Sequence, residues 1–253
     1  MEFNQKVILI TGASSGIGAA TSIYFAKESA KLCMVARNEN NLRRIALYCE
    51  KSKGIKPYTI TADLTCDNDV EEVVKKTVEY FGKIDVLVNN AGVIAMGGIM
   101  NTNMEDYDKV MSTNMRSVFK LTMVALPHLI ESKGCIVNVS SVNSMKPNTM
   151  SLAYNLSKCA LDHFTKCTAL ELAPKGVRVN SINPSFVKTN LLKGVGLTDE
   201  QLDMLIKNIV GNTPLKKAID SEEVAGLIAF LASDKAKSIT GCCYVIDGGN
   251  SLR

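Results

Sequence analysis

The stretch VILITGASSGIG, residues 7–18, decides how the rest of the chain is arranged. Its first four residues, Val7 to Ile10, are apolar and mostly β-branched, which favours a short buried β-strand. Three glycines follow in the spacing G-x-x-x-G-x-G, and a helical pattern then continues to Ser29. A strand, a glycine-rich turn and a helix in this order predict a pyrophosphate site, because helix-start N–H groups and the helix dipole stabilise its charge.

The glycine-rich turn supplies the first group of predicted cofactor contacts. A lone glycine motif also fits a plain tight turn, but the strand before it and the helix after it favour nucleotide binding. The predicted contacts in this turn are Gly12, Ser14, Ser15, Gly16, Ile17 and Gly18.

Strands and helices alternate through the remainder of the chain. Strands are predicted at 32–36, 57–62, 84–88, 136–139, 176–182 and 243–246, and helices of about 10–15 residues lie between several of them. This alternation predicts one α/β domain over residues 1–253, doubly wound in the Rossmann manner. Its parallel sheet would have about seven strands, with helices on both faces.

Composition excludes several classes of function. Hydrophobic residues make up 46% of the chain and charged residues 21%, and the net charge of +4 is not concentrated in a basic block, so nucleic acid is a poor candidate partner. No apolar run reaches the roughly 18 residues of a membrane helix, and the start lacks a signal-peptide pattern. We expect a soluble cytoplasmic protein without membrane association.

The eight cysteines form no C-x-x-C pair, and the chain has only two histidines. This pattern predicts reduced, mostly buried thiols and no metal site.

The end of the second predicted strand bears on cofactor choice. Folds that bind NAD usually carry an acidic residue there for the ribose 2′-OH, whereas an arginine accommodates the 2′-phosphate of NADP. Ala36 and Arg37 occupy this place, so the sequence favours NADP(H) over NAD(H). Arg37 could also be a solvated surface charge, and NAD(H) stays possible.

Two later strand ends add further predicted cofactor contacts. Asp63 and Leu64 follow the third strand, where Asp63 either hydrogen-bonds an adenine edge or caps a turn. Asn90, Ala91 and Gly92 follow the fourth strand, and small residues there let a cofactor lie against the carboxyl end of the sheet.

The stretch from Cys135 to Lys158 carries the predicted chemistry. An apolar strand ends at Ser140 and Ser141, and Tyr154 and Lys158 then stand four residues apart on one helical face. A cation beside a phenol lowers the pKa of the phenol toward neutrality, and a serine hydroxyl could orient a carbonyl or alcohol oxygen. An isolated Y-x-x-x-K is more often an ordinary surface pair, so the other motifs decide.

Taken together, the motifs resemble those of the short-chain dehydrogenase/reductase family over essentially the whole chain. They are TGASSGIG at 11–18, NNAG at 89–92, Asn114 in a long helix, Ser141, and YNLSK at 154–158. The resemblance implies that Tyr154 is the general acid in carbonyl reduction and the base in alcohol oxidation. Lys158 would lower the pKa of the phenol and bind the nicotinamide ribose, Ser141 would hold the substrate oxygen, and Asn114 would support a proton-relaying water. The hydride would come from the nicotinamide.

The resemblance also implies cofactor contacts from Pro184, Val187 and Thr189, although Ser185 replaces the glycine usual in the family. Residues 190–213 correspond to a mobile substrate lid, or else to a helix that merely packs on the core. The predicted substrate contacts are Ser141, Asn143, Tyr154, Ile94, Met96 and Phe186, with Val142 completing a mostly apolar pocket. This pocket predicts a lipophilic carbonyl or alcohol.

Three functional hypotheses remain open. The first is an NADP(H)-dependent carbonyl reductase or secondary-alcohol dehydrogenase, and the second is a 3-oxoacyl-carrier-protein reductase that docks an acidic partner, with Lys133 and Lys175 as candidate docking residues. The third is a catalytically silent cofactor-binding sensor or scaffold. The terminal strand resembles one that commonly packs between subunits, so we expect a homotetramer.

Overall fold

Seven parallel strands form one continuous sheet in the order β3-β2-β1-β4-β5-β6-β7. The computed structural model describes residues 2–189, 191–192 and 198–253. The strands are β1 Val7–Thr11, β2 Lys31–Ala36, β3 Tyr58–Thr61, β4 Val86–Asn89, β5 Cys135–Val139, β6 Arg178–Pro184 and β7 Cys243–Ile246. The predicted doubly wound α/β class is confirmed.

Helices follow the strands along the chain, as the alternation predicts. They are α1 Gly16–Lys27, α2 Glu39–Lys53, α3 Asp67–Phe81, α4 Met104–Met111, α5 Ser117–Glu131, α6 Leu152–Leu172, α7 Asp199–Asn212 and α8 Ser221–Ala232. No helix in the described ranges combines the length and the apolar composition needed to cross a bilayer.

The sheet has a hydrophobic core on each face. Along β1, Ile8 contributes to the core beneath α1, α2 and α8, and Leu9 contributes to the core beneath α3, α5 and α6. Successive side chains of a strand point to opposite faces, so both sets are buried only when helices cover both sides. This explains why all five residues of β1 are buried and why its first four are uniformly apolar.

The order of the strands reverses between β1 and β4. From β1 the chain runs outward through β2 and β3, and it then returns to place β4 on the other side of β1. Crossover connections leave from opposite sides at such a point, and a crevice opens at the carboxyl ends of the two strands. The ligand cleft is therefore expected at the ends of β1 and β4.

Two strands begin two residues later than the sequence pattern indicates. β4 starts at Val86 instead of residue 84, and β6 runs over 178–184 instead of 176–182. Gly176 has a left-handed φ of 79° and ends the turn after α6, which delays the start of β6. The strand then continues to Pro184 because β7 pairs with its last four residues.

Candidate active site

The glycine positions of the glycine-rich turn leave no room for side chains. Gly12 and Gly16 have positive φ angles of 65° and 53°, and a Cβ on Gly16 would lie 2.8 Å from the Thr189 Cγ2. A Cβ on Gly18 would lie 2.3 Å from the carbonyl oxygen of Gly12. Only glycines allow the start of α1 to pack this closely on the turn, so the turn backbone stays accessible to a ligand.

The loop after β4 is hydrogen-bonded to this turn. The Thr11 hydroxyl oxygen accepts the backbone N–H groups of Asn90, at 2.9 Å, and Ala91, at 3.0 Å. The Asn90 side-chain amide donates in return to the Thr11 carbonyl oxygen at 2.8 Å. These bonds hold the two strand ends together and place Gly92 beside the opening.

A cleft of about 870 Å³ runs along the carboxyl ends of the strands. Its lining includes every predicted cofactor contact except Gly18, which is buried beneath the turn. The residues concerned are Gly12, Ser14, Ser15, Gly16, Ile17, Arg37, Asp63, Leu64, Asn90, Ala91, Gly92, Tyr154, Lys158, Pro184, Val187 and Thr189. Because the glycines keep the turn backbone accessible and a long groove lies beside it, the site fits an extended dinucleotide.

Arg37 and Asp63 lie at the end of the cleft formed by β2 and β3. Arg37 is exposed and lines the cleft. Asp63 accepts the backbone N–H of Thr65 at 3.0 Å and its hydroxyl at 2.8 Å. The backbone hydrogen bond is the main cause of the lowered pKa of Asp63, and the positive charge of Arg37 adds to it.

Tyr154 and Ser141 meet on the floor of the cleft. Tyr154 lies in the first turn of α6. Ser141 precedes the short 3₁₀ turn Val142–Ser144, which two residues separate from the end of β5. Both side chains are buried, and the Ser141 hydroxyl lies close enough to the phenol to lower its pKa. The Ser141 Oγ also accepts the Asn143 N–H at 3.2 Å, and its hydroxyl donates to the Pro184 carbonyl oxygen at 3.4 Å. An oxygen atom of a ligand can thus contact both hydroxyls.

The pKa of Tyr154 departs from the sequence expectation. Burial raises it to about 12, while the neighbouring Ser141 hydroxyl opposes the increase. The Lys158 Nζ lies 5.5 Å from the centroid of the tyrosine ring, and it donates a hydrogen bond to the Val139 carbonyl oxygen at 2.8 Å. Desolvation therefore outweighs the effect of Ser141, and the phenol is protonated at neutral pH.

Lys158 is itself buried, and this burial lowers its pKa to about 8. The carboxylate of Asp162, one helical turn further along α6, opposes the decrease. An ammonium with such a pKa changes charge just above neutrality. The charge beside the phenol is consequently sensitive to pH in that range.

Asn114 does not lie in a regular α-helix. It belongs to a π-helical segment, Ser112–Arg116, inserted between α4 and α5. Its side-chain oxygen accepts the Val93 N–H at 2.8 Å, and its amide donates to the Val93 carbonyl at 2.8 Å and to the Ser157 hydroxyl at 3.0 Å. A Cβ built on Gly92 would lie 3.4 Å from the Asn114 Oδ1 and 3.8 Å from the Lys158 Nζ, so Asn114 and Lys158 flank Gly92.

A buried polar network supports the Ser141 turn, and sequence reasoning missed it. The Asn183 amide donates to the Asp162 carboxylate at 2.7 Å and to the Ser141 carbonyl oxygen at 3.1 Å. The Ser144 hydroxyl donates to the same carboxylate at 2.5 Å. The sequence feature that could have indicated this network is the position of Asp162, four residues after Lys158 on the same helix.

The predicted substrate residues Ile94, Met96, Val142, Asn143 and Phe186 all line the remaining part of the cleft. The loop between Ser141 and α6 and the chain terminus contribute further residues that were not predicted. These are Lys146, Asn148, Met150, Ser151 and Asn250.

The predicted lid is described in part. Leu191, Leu192, Leu205 and Ile209 line the cleft, and α7 begins with a capping box formed by Thr198 and Gln201. Asn190 and the stretch 193–197, which holds two of the predicted apolar lid residues and two glycines, lie outside the described residues.

Ser185 is accommodated without strain. Its φ is not among the positive values found in the described chain, so the backbone there does not require glycine. Its N–H donates to the Ile246 carbonyl oxygen at 3.2 Å, and its hydroxyl donates to the Asp247 carbonyl oxygen at 3.2 Å. The departure from the family pattern therefore ties the end of β6 to the end of β7.

Comparisons with known proteins agree with this arrangement. A family model described as "Enoyl-(Acyl carrier protein) reductase" matches residues 12–251. The 3-oxoacyl-(acyl-carrier-protein) reductase of Thermotoga maritima is 37% identical over 251 residues, which are 98% of this chain and 99% of that protein. The meso-2,3-butanediol dehydrogenase of Serratia marcescens is 34% identical over 98% of this chain and 96% of its own.

A solved structure is similarly close. A short-chain dehydrogenase/reductase of unknown function from Caenorhabditis elegans, crystallised with cofactor, superposes with a TM-score of 0.93 at 34% identity. The match covers 100% of this chain and 97% of that one. Because a family model, relatives above 30% identity and a solved structure all span nearly the whole chain, the protein belongs to the short-chain dehydrogenase/reductase family, whose members are nicotinamide-dependent oxidoreductases of alcohol and carbonyl groups.

Proposed function

We propose that the protein transfers a hydride reversibly between NADP(H) and a carbonyl or secondary-alcohol substrate, with Tyr154 as the general acid and base. The observation that carries this proposal is the buried pair of neighbouring hydroxyls on Tyr154 and Ser141, with the Lys158 ammonium beside them. In reduction, the carbonyl carbon gains the hydride and the carbonyl oxygen gains the tyrosine proton. Oxidation of the alcohol reverses both transfers.

Each polar side chain then has a distinct task. Tyr154 is protonated at neutral pH and donates its proton to the substrate oxygen, while the Ser141 hydroxyl fixes the position of that oxygen. Lys158 stabilises the phenolate left on Tyr154, because an opposite charge nearby favours the ionised form. Asn114 holds the backbone at Val93, next to Gly92. A nicotinamide held in this cleft would supply or accept the hydride.

The choice of NADP(H) rests on Arg37. Its exposed guanidinium follows β2 at the place where a 2′-phosphate would lie, and no acid takes that place. Asp63 is held by Thr65 within its own turn, so it is less available to a ribose hydroxyl.

The substrate walls support a lipophilic carbonyl compound. Ile94, Met96 and Phe186 line the cleft, and Leu205 and Ile209 of α7 face it from the lid. Apolar walls with a few polar groups fix a ligand's orientation while burying its carbon chain.

Reduction of 3-oxoacyl thioesters is the alternative, favoured by the likeness to the Thermotoga maritima reductase. Lys133 and Lys175 do not help such a substrate, because they precede β5 and β6 and so lie at the amino ends of the strands, opposite the cleft. A panel of ketones, secondary alcohols and 3-oxoacyl thioesters, followed by reduced-nicotinamide absorbance, separates the two functions.

We also propose a homotetramer, since two apolar surfaces face solvent in the single chain. Phe119 and Met123 are 53% and 52% exposed on one face of α5, and Val245 is 43% exposed on the edge strand β7.

Light scattering should give four times the mass of one chain. Phe119→Arg with Met123→Arg should lower that mass, whereas Tyr48→Arg, at an equally exposed site on α2, should not. A monomeric wild-type protein would contradict the proposal.

Replacing Tyr154 by Phe removes the transferable proton and leaves the ring in place. We expect turnover to fall by about 1,000-fold or more, while the cofactor dissociation constant stays close to the wild-type value. Tyr107→Phe is the matched control, because Tyr107 packs on the same small apolar cluster. Unchanged turnover in Tyr154→Phe would remove the tyrosine from its assigned role.

Replacing Arg37 by Ala tests the cofactor preference. The wild-type enzyme should have a higher kcat/KM with NADPH than with NADH, and the substitution should lower that ratio roughly tenfold or more, as expected for a charge-assisted hydrogen bond. Arg43→Ala removes another exposed arginine, paired with Glu39 on α2, and should preserve the ratio. A wild-type preference for NADH would mean that Arg37 is only a surface charge.

The pH dependence of reduction should follow Lys158. Its pKa is about 8, so kcat should decline as pH rises past that value and the ammonium loses its charge. Asp162→Asn removes a carboxylate that raises the pKa of Lys158, and the decline should therefore move to lower pH. Asp108→Asn, at an exposed site on α4, should leave the profile in place. The measured quantity is the pH at which kcat declines. The same pH in the wild-type enzyme and in Asp162→Asn would refute the coupling between Asp162 and Lys158.

A further inference from the structure

The charged side chains around the cleft are distributed unevenly. Among the described lining residues, the charged ones are Arg37, Asp63, Lys109, Lys146 and Lys158. The single acid, Asp63, lies at the β3 end with Arg37, far along the cleft from the Ser141 turn. Apart from its apolar walls, the part of the cleft that receives the substrate is thus lined by cations and amides, and none of the described residues that line it carries a carboxylate.

Lys146 is held in a defined position on the substrate side of the cleft. Its backbone N–H donates to the Val142 carbonyl oxygen at 2.8 Å. Its Nζ donates to the Asn250 carbonyl oxygen at 2.7 Å, so the side chain links the Ser141 loop to the C-terminal turn. An ammonium has three N–H donors, and this bond occupies one of them.

The charge of Lys146 is not neutralised by a direct ion pair within the described chain, whose ion pairs involve other cations. The charge of Lys146 contributes to the lowered pKa of Asp247, but the two side chains form no ion pair. The Asp247 carboxylate instead accepts the backbone N–H groups of Gly249 at 2.8 Å and Ser251 at 2.7 Å. Lys146 is half-buried, so a ligand anion beside it would be only partly screened by water.

Lys146 and the hydroxyl pair lie on the same wall. Ser141 begins the 3₁₀ turn Val142–Ser144, and the Lys146 N–H closes on the first residue of that turn. Asn143 and Asn250 line the cleft beside it. The site for a carbonyl oxygen at Ser141 and the Lys146 ammonium therefore belong to one cleft and one short loop.

We propose that Lys146 binds the carboxylate of the substrate, and that the preferred substrates are oxo acids and the corresponding hydroxy acids. This inference rests on the proposed function and narrows its substrate class. The carbonyl would lie at Ser141 and Tyr154, the carbon chain would pack against the apolar wall, and the carboxylate would take the remaining donors of Lys146. The acid group is unchanged by the reaction, in which only the carbonyl carbon gains a hydride and its oxygen a proton.

The contribution of Lys146 should appear in substrate binding. A hydrogen bond between charged partners corresponds to roughly a 10–100-fold change in affinity. Since the ammonium contacts the substrate away from the reacting atoms, its loss raises KM for an acid much more than it lowers kcat.

The experiment compares each oxo acid with its own methyl ester. A series of 2-oxo, 4-oxo and 5-oxo alkanoates varies the distance from the carbonyl to the carboxylate, and the ester removes the charge while keeping the carbonyl. We expect the wild-type enzyme to favour at least one acid over its ester by about tenfold or more in kcat/KM. Lys146→Met should abolish that preference through KM, and Lys146→Arg should retain it.

A matched control and the contrary outcomes separate the inference from the proposed function. Lys175→Met removes one positive charge at the opposite end of the sheet and should keep the acid preference. If the wild-type enzyme turns over esters as well as acids, or if Lys146→Met lowers both equally, Lys146 only fastens the C-terminal turn and the inference is overturned, although the proposed function stands. No turnover of any acid, ester or ketone would overturn both.

Discussion

The hydrogen bonds between Thr11 and the loop after β4 are the constraint on which the site depends. β1 and β4 are neighbours in the sheet, although two strands and three helices separate them in the chain. One threonine hydroxyl accepts two backbone N–H groups from the returning loop, and the Asn90 amide completes the closure. With the two strand ends held together, the glycine turn forms one wall of the cleft and Gly92 the other, so binding and chemistry share a single groove.

Burial decides the charge states within that groove. Desolvation raises the pKa of Tyr154 and lowers that of Lys158, so each is moved toward its uncharged form. Tyr154 therefore keeps its proton at neutral pH, and the Lys158 ammonium loses its proton more readily than an exposed lysine does. Together they can exchange one proton with a ligand. The neighbouring Asp162 adjusts this balance and also supports the Ser141 turn, so electrostatics and position depend on one carboxylate.

Much of the fold was predictable because its cause is local. Apolar β-branched runs, glycine turns and the four-residue spacing of Tyr154 and Lys158 express periodicities that one segment carries alone. The direction of the pKa change at Tyr154 was not predictable, since it depends on how many distant residues exclude water from the ring. Lys146 was missed for the same reason: its ammonium acquires a partner only when the C-terminal turn, 104 residues further along, folds against the loop.

The π-helical segment at Asn114 has a further consequence for how the chain tolerates change. Such a segment is equivalent to one extra residue inserted into an α-helix, and each residue turns a helix by about 100°. The insertion is what directs Asn114 inward to Val93 while α4 and α5 keep their own buried faces. The orientation of the Asn114 amide therefore depends on the number of residues between 104 and 131. Deleting one residue there would preserve a good helix and yet rotate the amide away from Gly92.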